Sequence, residues 1–433
     1  MPIASTHPKW KEAATKASLT EDAFEGDVKD YVPKLERQSP KSYEAYVNRA
    51  AYYNVTERTA IALIGALMRK PYTLENVVND EPETDNDNFA EFIQNSYLEL
   101  MLSGRQGILV DFDEAKQSPK LVSYCAEDII NWSSKFIVIQ ESSYIENPED
   151  PYEPKAETVW RELRLDEEGL YEVRLWKASG KNKYVITETI QPTIRGVRLN
   201  YIPFYWVTPY DNTTEVYNPP LYNLAVLNIQ HFKVATDYSQ GLHMLALPTP
   251  WIAGDIYTAD GTVPKEIAIG TDNFLHLNQE SKIGFLEFSG SGLSAIANQL
   301  TSLEEQMFNM GSRLLMPKKG IESAEALQIR AGSESAALET MTNSLENGLQ
   351  QALNTYNLWA GSTQAPVIQL NRDFTASKID PATMSSLIDA YTSKVITLDT
   401  LLTQLFQGEI VSDPIAEKEA LSASPVVIQT ASL

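Results

Sequence analysis

Apolar side chains along this chain recur first at three- and four-residue intervals, then at two, then at three and four again. Residues 1–40 are polar and punctuated by Pro2, Pro8, Pro33 and Pro40, which predicts an extended arm with one helical turn. From Ser42 the spacing is helical: Tyr43, Tyr46 and Val47 share a face, and after a cap at Thr56 the stripe continues through Ala60, Ile61, Leu63, Ile64, Leu67 and Met68 until Pro71 stops it. A loop follows, and Phe89 to Leu102 reads as another helix. Between Gly107 and Asp211 the period falls to two. Gly107–Phe112, Thr158–Leu165, Leu170–Trp176, Tyr184–Ile190 and Pro203–Val207 read as strands of a mostly antiparallel sheet in a mixed α/β region.

Helical spacing returns at Pro219-Pro220, with proline placed in the first turn, and runs to about Leu247. Pro248 to Ser289 reads as strand and turn. The most regular signal comes next: Leu293, Ile296, Leu300, Leu303, Met307, Met310 and Leu314 alternate spacings of three and four, a heptad seam that Pro317 ends. A second long helix spans roughly Ser323 to Ala360, with Leu338, Met341, Leu345, Leu349, Leu353, Tyr356 and Trp359 on one face. A strand at Val367–Leu370 precedes a helix capped by Asp380 and opened by Pro381. The last 30 or so residues are small and polar, and are expected to fray.

Composition narrows the function classes. The 433 residues are 43% hydrophobic and 21% charged, as in a folded chain, and the length suggests several structural regions. Lys and Arg number 35 against 58 Asp and Glu, a net charge of −23, which argues against a protein that grips nucleic acid or an anionic membrane through a basic footprint. Pro71 to Gly104 alone carries eight acidic residues and no Lys or Arg. The single cysteine, Cys125, excludes an internal disulfide and fits a reducing or redox-indifferent setting. The N-terminus lacks a secretory pattern, and the apolar run Ala60–Met68 is far too short to span a bilayer, so a soluble protein that crosses no membrane is expected.

Candidate chemistry is sparse. His7, His231, His243 and His276 are scattered without metal-ligand spacing, and no P-loop is present; neither a metal nor a cofactor is expected. Ser289-Gly290-Ser291-Gly292 suits either a phosphate cradle or an ordinary strand-to-helix turn. Asp111 and Asp113, at a strand end, have the spacing of a nuclease-like metal pair, and equally that of a strand-end turn. Against the acidic background, Gln306 to Ile321 holds Arg313, Lys318 and Lys319 and no acidic residue. Arg313 is accounted for by the dipole of the helix it ends, whereas Lys318 and Lys319, beyond Pro317, are candidates for contact with a polyanion or are simply solvated.

Several blocks, in order, resemble tailed-bacteriophage portal proteins of an uncharacterised-domain type. They are Ser42–Ala50 with Tyr53–Thr59 and Met68-Arg69-Lys70-Pro71, then Gly104–Asp111, Ala126–Trp132, Glu322–Leu338 and Leu370–Phe374. The resemblance covers about residues 40 to 410 and carries no catalytic motif. It implies a ring, typically of twelve subunits, at one capsid vertex, in the virion and, during assembly, in the host cytoplasm. The implied partners are further copies of the chain, double-stranded DNA in the channel, terminase, major capsid and scaffold proteins, and head–tail adaptors, with no membrane. The implied fold is α+β: an N-terminal arm (1–40), an α/β wing (41–218), stem helices (219–247 and 290–315) flanking a small α/β clip (248–289), a tunnel loop (316–325), a long wing helix with its return strand (326–375), and a helical crown with a tail (376–433). The heptad residues Leu293 to Leu314 would then pack the stem, and Lys318 and Lys319 would touch DNA from the tunnel loop. No catalytic residue is implied. A smaller head–tail adaptor and a carboxylate-metal nuclease built on Asp111 and Asp113 are the alternatives.

Overall fold

The helices follow the chain in three groups. The first comprises α1 (Trp10–Glu25), α2 (Pro40–Val47), α3 (Val55–Leu67) and α4 (Phe89–Leu102); α5 (Tyr222–Ala246), α6 (Leu293–Gly311) and α7 (Ala324–Trp359) form the second; α8 (Pro381–Thr392), α9 (Leu398–Gln407) and α10 (Pro414–Ala423) come last. In this computed structural model the residues described are 2–34, 36–86, 88–113, 116–145, 147, 150, 152–181, 183–247, 249–254, 256–257, 276–277, 280–286, 290–311, 324–374, 381–407, 410–411 and 413–423. Two compact units emerge, Met1–Gly65 with Tyr72–Leu370, and Ala66–Pro71 with Asn371–Leu433. The chain is a mixture of helices and antiparallel sheets, the α+β class expected.

The N-terminal residues are not the extended arm anticipated. They hold the sixteen-residue helix α1, whose buried stripe is Ala13, Ala17, Thr20 and Ala23. Small side chains give a weak hydrophobic signal, yet they let helices approach closely, and here α1 lies against α5. Val28, Val32 and Val47 join Ala225, Ile229 and Phe232 of α5 in the core beneath it. The expected cap at Thr56 is also displaced: α3 starts at Val55, and Asn54 Oδ1 accepts from the Glu57 N–H at 3.0 Å. Proline does not open α5 either, because Pro219 and Pro220 form a turn ahead of it, closed by Tyr222 N–H to Pro219 C=O at 3.0 Å.

A fully buried side chain fixes α5 against α3. Asn228 Oδ1 accepts from the N–H groups of Val55 (2.9 Å) and Thr56 (3.0 Å) and from the Thr56 hydroxyl (3.0 Å), while its Nδ2 donates to Tyr53 C=O at 2.8 Å. Each polar group left unpaired at such a depth costs about 1–3 kcal/mol, so the carboxamide specifies one seating of the two helices.

After β1 (Thr73–Glu75), the strands run β2 (Gln106–Asp113), β3 (Ser118–Cys125), β4 (Ile129–Trp132), β5 (Phe136–Ile145), β6 (Lys155–Leu165), β7 (Tyr171–Ala178), β8 (Tyr184–Ile190), β9 (Thr193–Ile194), β10 (Val197–Arg198) and β11 (Phe204–Val207). They form a three-stranded sheet, β11-β2-β3, a five-stranded meander, β4-β5-β6-β7-β8, and the small pair β9–β10, all antiparallel. No helix interrupts the described residues here, so this stretch is all-β rather than α/β. Leu109, Tyr124 and Phe204 from the smaller sheet meet Ile129, Ile139, Leu163 and Val173 from the larger in one core. The smaller sheet's other partner is α7, with Leu345, Leu349 and Leu353 fully buried and Thr355 bonded to the hydroxyls of Tyr201 (3.2 Å) and Tyr205 (2.5 Å).

Between α5 and α6 lie β12 (Thr249–Ala253), β13 (Ile256–Tyr257), β14 (His276–Leu277) and β15 (Lys282–Leu286). They pair as nested antiparallel ladders, β12 with β15 and β13 with β14. The last strand, β16 (Val367–Gln369), pairs with β1.

In the second unit, Asn371 Nδ2 donates to the carbonyls of Ala66 (3.0 Å) and Leu67 (3.1 Å), and Asp373 binds both Arg69 and Lys70. Lys70 also lies over the Phe406 ring of α9, 5.4 Å from its centroid. The fraying expected of the last 30 or so residues gives way to α10 over Pro414–Ala423, where Asp413 Oδ1 caps the N–H groups of Ile415 (2.8 Å) and Ala416 (3.1 Å). The expected cap Asp380 lies outside the described residues. Among the described residues, no helix is long and apolar enough to cross a membrane.

Candidate assembly surface

The α5–α6 pair carries the seam identified in the sequence, and two glycines set its spacing. A Cβ on Gly241 of α5 would come within 2.5 Å of Leu293 Cδ2, and one on Gly311 of α6 within 2.5 Å of Thr59 Oγ1 and 3.3 Å of Leu224 Cδ2. The helices therefore run antiparallel, with the glycine backbone of one against a leucine side chain of the other at each end. Along the seam, Leu303 and Met307 are buried, Leu293, Ile296 and Leu300 half-buried, and Met310 is exposed. Leu314 lies outside the described residues. Leu303 and Met307 are thus covered within a single chain. His231 of α5 is buried behind them, 3.4 Å from Glu304 Oε1.

Exposed apolar surface appears where the sequence pattern did not place it. The end of α5 exposes Leu242, Met244, Leu245 and Leu247, and the outer side of α6 exposes Phe308 and Met310. The hairpin between them exposes Trp251, Ile283, Phe285 and, at 69%, Leu286. Trp251 lies across the ladder from Gly284, its ring 3.0 Å from where a Cβ would sit, so glycine leaves the room that the indole fills. In sequence, Ile283 and Phe285 alternate as a buried strand face would; only the fold reveals that, among the described residues, they stay exposed.

The remaining candidates resolve into local structure. Gly290, at φ +66°, makes the turn into α6, and the N–H of Leu293 bonds to its carbonyl at 3.0 Å. Asp111 Oδ2 is 3.1 Å from Arg161 Nη1, and Arg161 Nε also binds Glu141 Oε1 at 2.7 Å. Asp113 Oδ1 accepts from the Lys116 N–H at 3.1 Å, closing the β2–β3 turn. No group of three His, Cys, Asp or Glu side chains among the described residues is arranged to hold a metal ion. Lys318 and Lys319, with Arg313, lie outside the described residues.

The acidic stretch Pro71–Gly104 is partly absorbed by the unit itself. Glu81 accepts from the Tyr72 hydroxyl (2.6 Å), Glu83 binds Lys116 (3.0 Å), and Asp85 accepts from the Ser123 N–H (2.9 Å). Glu99 sits on α4 facing the β3–β4 turn, where the Ala126 N–H reaches it at 3.4 Å. Burial pushes its carboxyl up to about 7, with the charges of Glu21 and Glu127 adding to the rise against a bond from Ser103. Burial and Glu21 likewise lift Glu127 to about 7.

A domain of unknown function, DUF4055, matches residues 220–360, the span from α5 through α7. No curated protein matches the chain. Among solved structures, a chain from the neck of a native gene transfer agent particle computed with C12 symmetry is similar at 12% identity, with a TM-score of 0.41 over 85% of this chain and 94% of that one. A chain from the neck of the empty particle, computed with C6 symmetry, has 12% identity and a TM-score of 0.40 over 89% and 94%. An HK97-family phage portal protein from Corynebacterium diphtheriae has 8% identity and a TM-score of 0.30 over 80% and 94%. Likenesses this low carry no functional weight of their own.

The Glu99 carboxyl favours the folded chain below its ordinary value of 4.5, and that advantage is lost as pH climbs through about 7. Glu99→Gln should therefore raise the melting temperature at pH 8 by about 2–4 °C and flatten its decline between pH 5 and 8. Thermal unfolding followed by circular dichroism checks this; parallel pH profiles for the variant and the natural chain would contradict it.

Proposed function

We propose that this chain is the subunit of a bacteriophage portal, a ring at one capsid vertex through which DNA is packaged and ejected. The observation that carries the reading is the antiparallel pair α5–α6 with a small β insertion between its helices, bearing apolar side chains that stay exposed among the described residues. Burying several such side chains contributes about 1.5–3 kcal/mol each, enough to drive association between copies. The ordered sequence blocks supply the second support.

In this reading α5 and α6 are the stem, the nested ladders β12–β15 the clip, the two sheets with α7 the wing, and α8 to α10 part of the crown. Twelve copies are the number the resemblance implies. Terminase docks on the ring first and adaptor and tail proteins later, while capsid and scaffold proteins surround it. Net negative charge keeps the duplex from adhering to the wall, since a channel must let DNA slide. Lys318 and Lys319 contact the phosphate backbone from the tunnel loop, guiding the duplex or holding it against leakage. A nuclease built on Asp111 and Asp113 has less support, because Arg161 already neutralises Asp111.

Negative-stain microscopy of the purified chain should show rings. A double variant, Phe285→Glu with Leu286→Glu, should stay monomeric at unchanged helix content, whereas Leu303→Asp should lose its fold altogether; rings formed normally by the double variant would overturn the assignment of the surface. Particles assembled with Lys318→Ala and Lys319→Ala together should package or retain less DNA, and unaltered packaging with unaltered retention would remove these lysines from the channel.

A further inference from the structure

Arg105 stands at the entrance to β2, and its side chain is 1% exposed. None of its three guanidinium nitrogens, Nε, Nη1 and Nη2, has a hydrogen-bond partner among the described residues. Its Cζ lies 4.0 Å from the ring centroid of Trp132 on β4 and 4.7 Å from that of Trp206 on β11. Those rings are themselves 6.0 Å apart and inclined at 59°, so the cation occupies a wedge between the edges of the two sheets. Burial alone holds its pKa down at about 10, with no carboxylate acting against that fall.

Aromatic faces return only part of what dehydrating a cation costs, and a buried charge is ordinarily paired. The indoles have no acceptor to offer the guanidinium, since an indole nitrogen only donates. The in-plane N–H donors stay free, and their forked arrangement matches two oxygens of one oxyanion.

The N-terminal segment closes over this wedge. His7 stacks on Trp132 with centroids 4.0 Å apart, and its N–H donates to Ile130 C=O at 2.8 Å. Asn131 Nδ2 holds Ser5 C=O at 2.8 Å, and Trp10 Nε1 holds Glu127 C=O at 3.0 Å. His7 Nδ1 accepts from the Lys9 N–H at 3.2 Å, which leaves the ring proton on Nε2 as one more donor. Burial lowers the His7 pKa, and the Arg105 charge lowers it further, so the ring stays neutral beside the cation.

We infer that Arg105, walled by Trp132 and Trp206 and covered by the His7 segment, is a binding site for a small oxyanion, a phosphate or a carboxylate. The site is independent of whether the chain assembles into a ring.

The full chain is titrated with inorganic phosphate and, separately, with acetate, each at constant ionic strength made up with sodium chloride. Thermal midpoint and tryptophan fluorescence are read together. Saturable changes in both are expected, with the midpoint rising by about 3 °C at saturation. A response to phosphate alone assigns a tetrahedral ligand, and a response to both assigns a site that also accepts carboxylates. Arg105→Met should abolish the response, and Arg105→Lys, which keeps the charge but loses the fork, should weaken it about tenfold. Neither anion producing a saturable change, or a change that persists at full size in Arg105→Lys, would overturn the inference.

Discussion

The carboxamide of Asn228 joins segments that the sequence separates by more than 170 residues. By satisfying the first N–H groups of α3 and the carbonyl of Tyr53, it fixes where α5 enters the unit. With that end seated, the small residues of α1 and the aliphatic core below it cover one flank of α5, and α6 covers another through the close contacts at Gly241 and Gly311. The far end of α5 is exposed among the described residues. A helix held firmly at its first turns and exposed at its last, with a hairpin continuing the exposed surface, is the geometry on which the proposed assembly rests.

The charge has two destinations. Some carboxylates are neutralised locally, as Asp111 and Glu141 are by Arg161 and Asp373 is by Arg69 and Lys70. Others, notably Glu99 and Glu127, sit where burial and mutual repulsion resist ionisation. The net charge of −23 is therefore not a uniform coat. In the portal reading, acidity argues against a protein that clamps DNA and suits one that conducts it, with Lys318 and Lys319 the proposed exception.

Strong periodicity was legible and weak or ambiguous periodicity was not. The face Leu338 to Tyr356 on α7 is buried as its spacing required, and the heptad run gave α6. Helix α1 escaped notice because its stripe is alanine, and β5 because Ile137, Val138 and Ile139 are buried in succession, which removes the two-residue alternation. The candidate surface was the least legible part. Apolar alternation in β15 says that one face avoids water, and the fold alone tells whether that face looks inward or outward. Arg105 was invisible for a related reason: its wedge is built from strands β2, β4 and β11, and no local pattern announces the two tryptophans that meet there.

Hydroxyl-radical footprinting of the assembled chain against the dissociated one tests the central claim most directly. Leu245, Trp251, Phe285 and Met310 should be strongly oxidised in the dissociated chain and protected on assembly, while the buried Leu303 and Met307 stay unreactive in both. An assembled particle in which those four exposed side chains oxidise as fast as in the monomer would contradict the account.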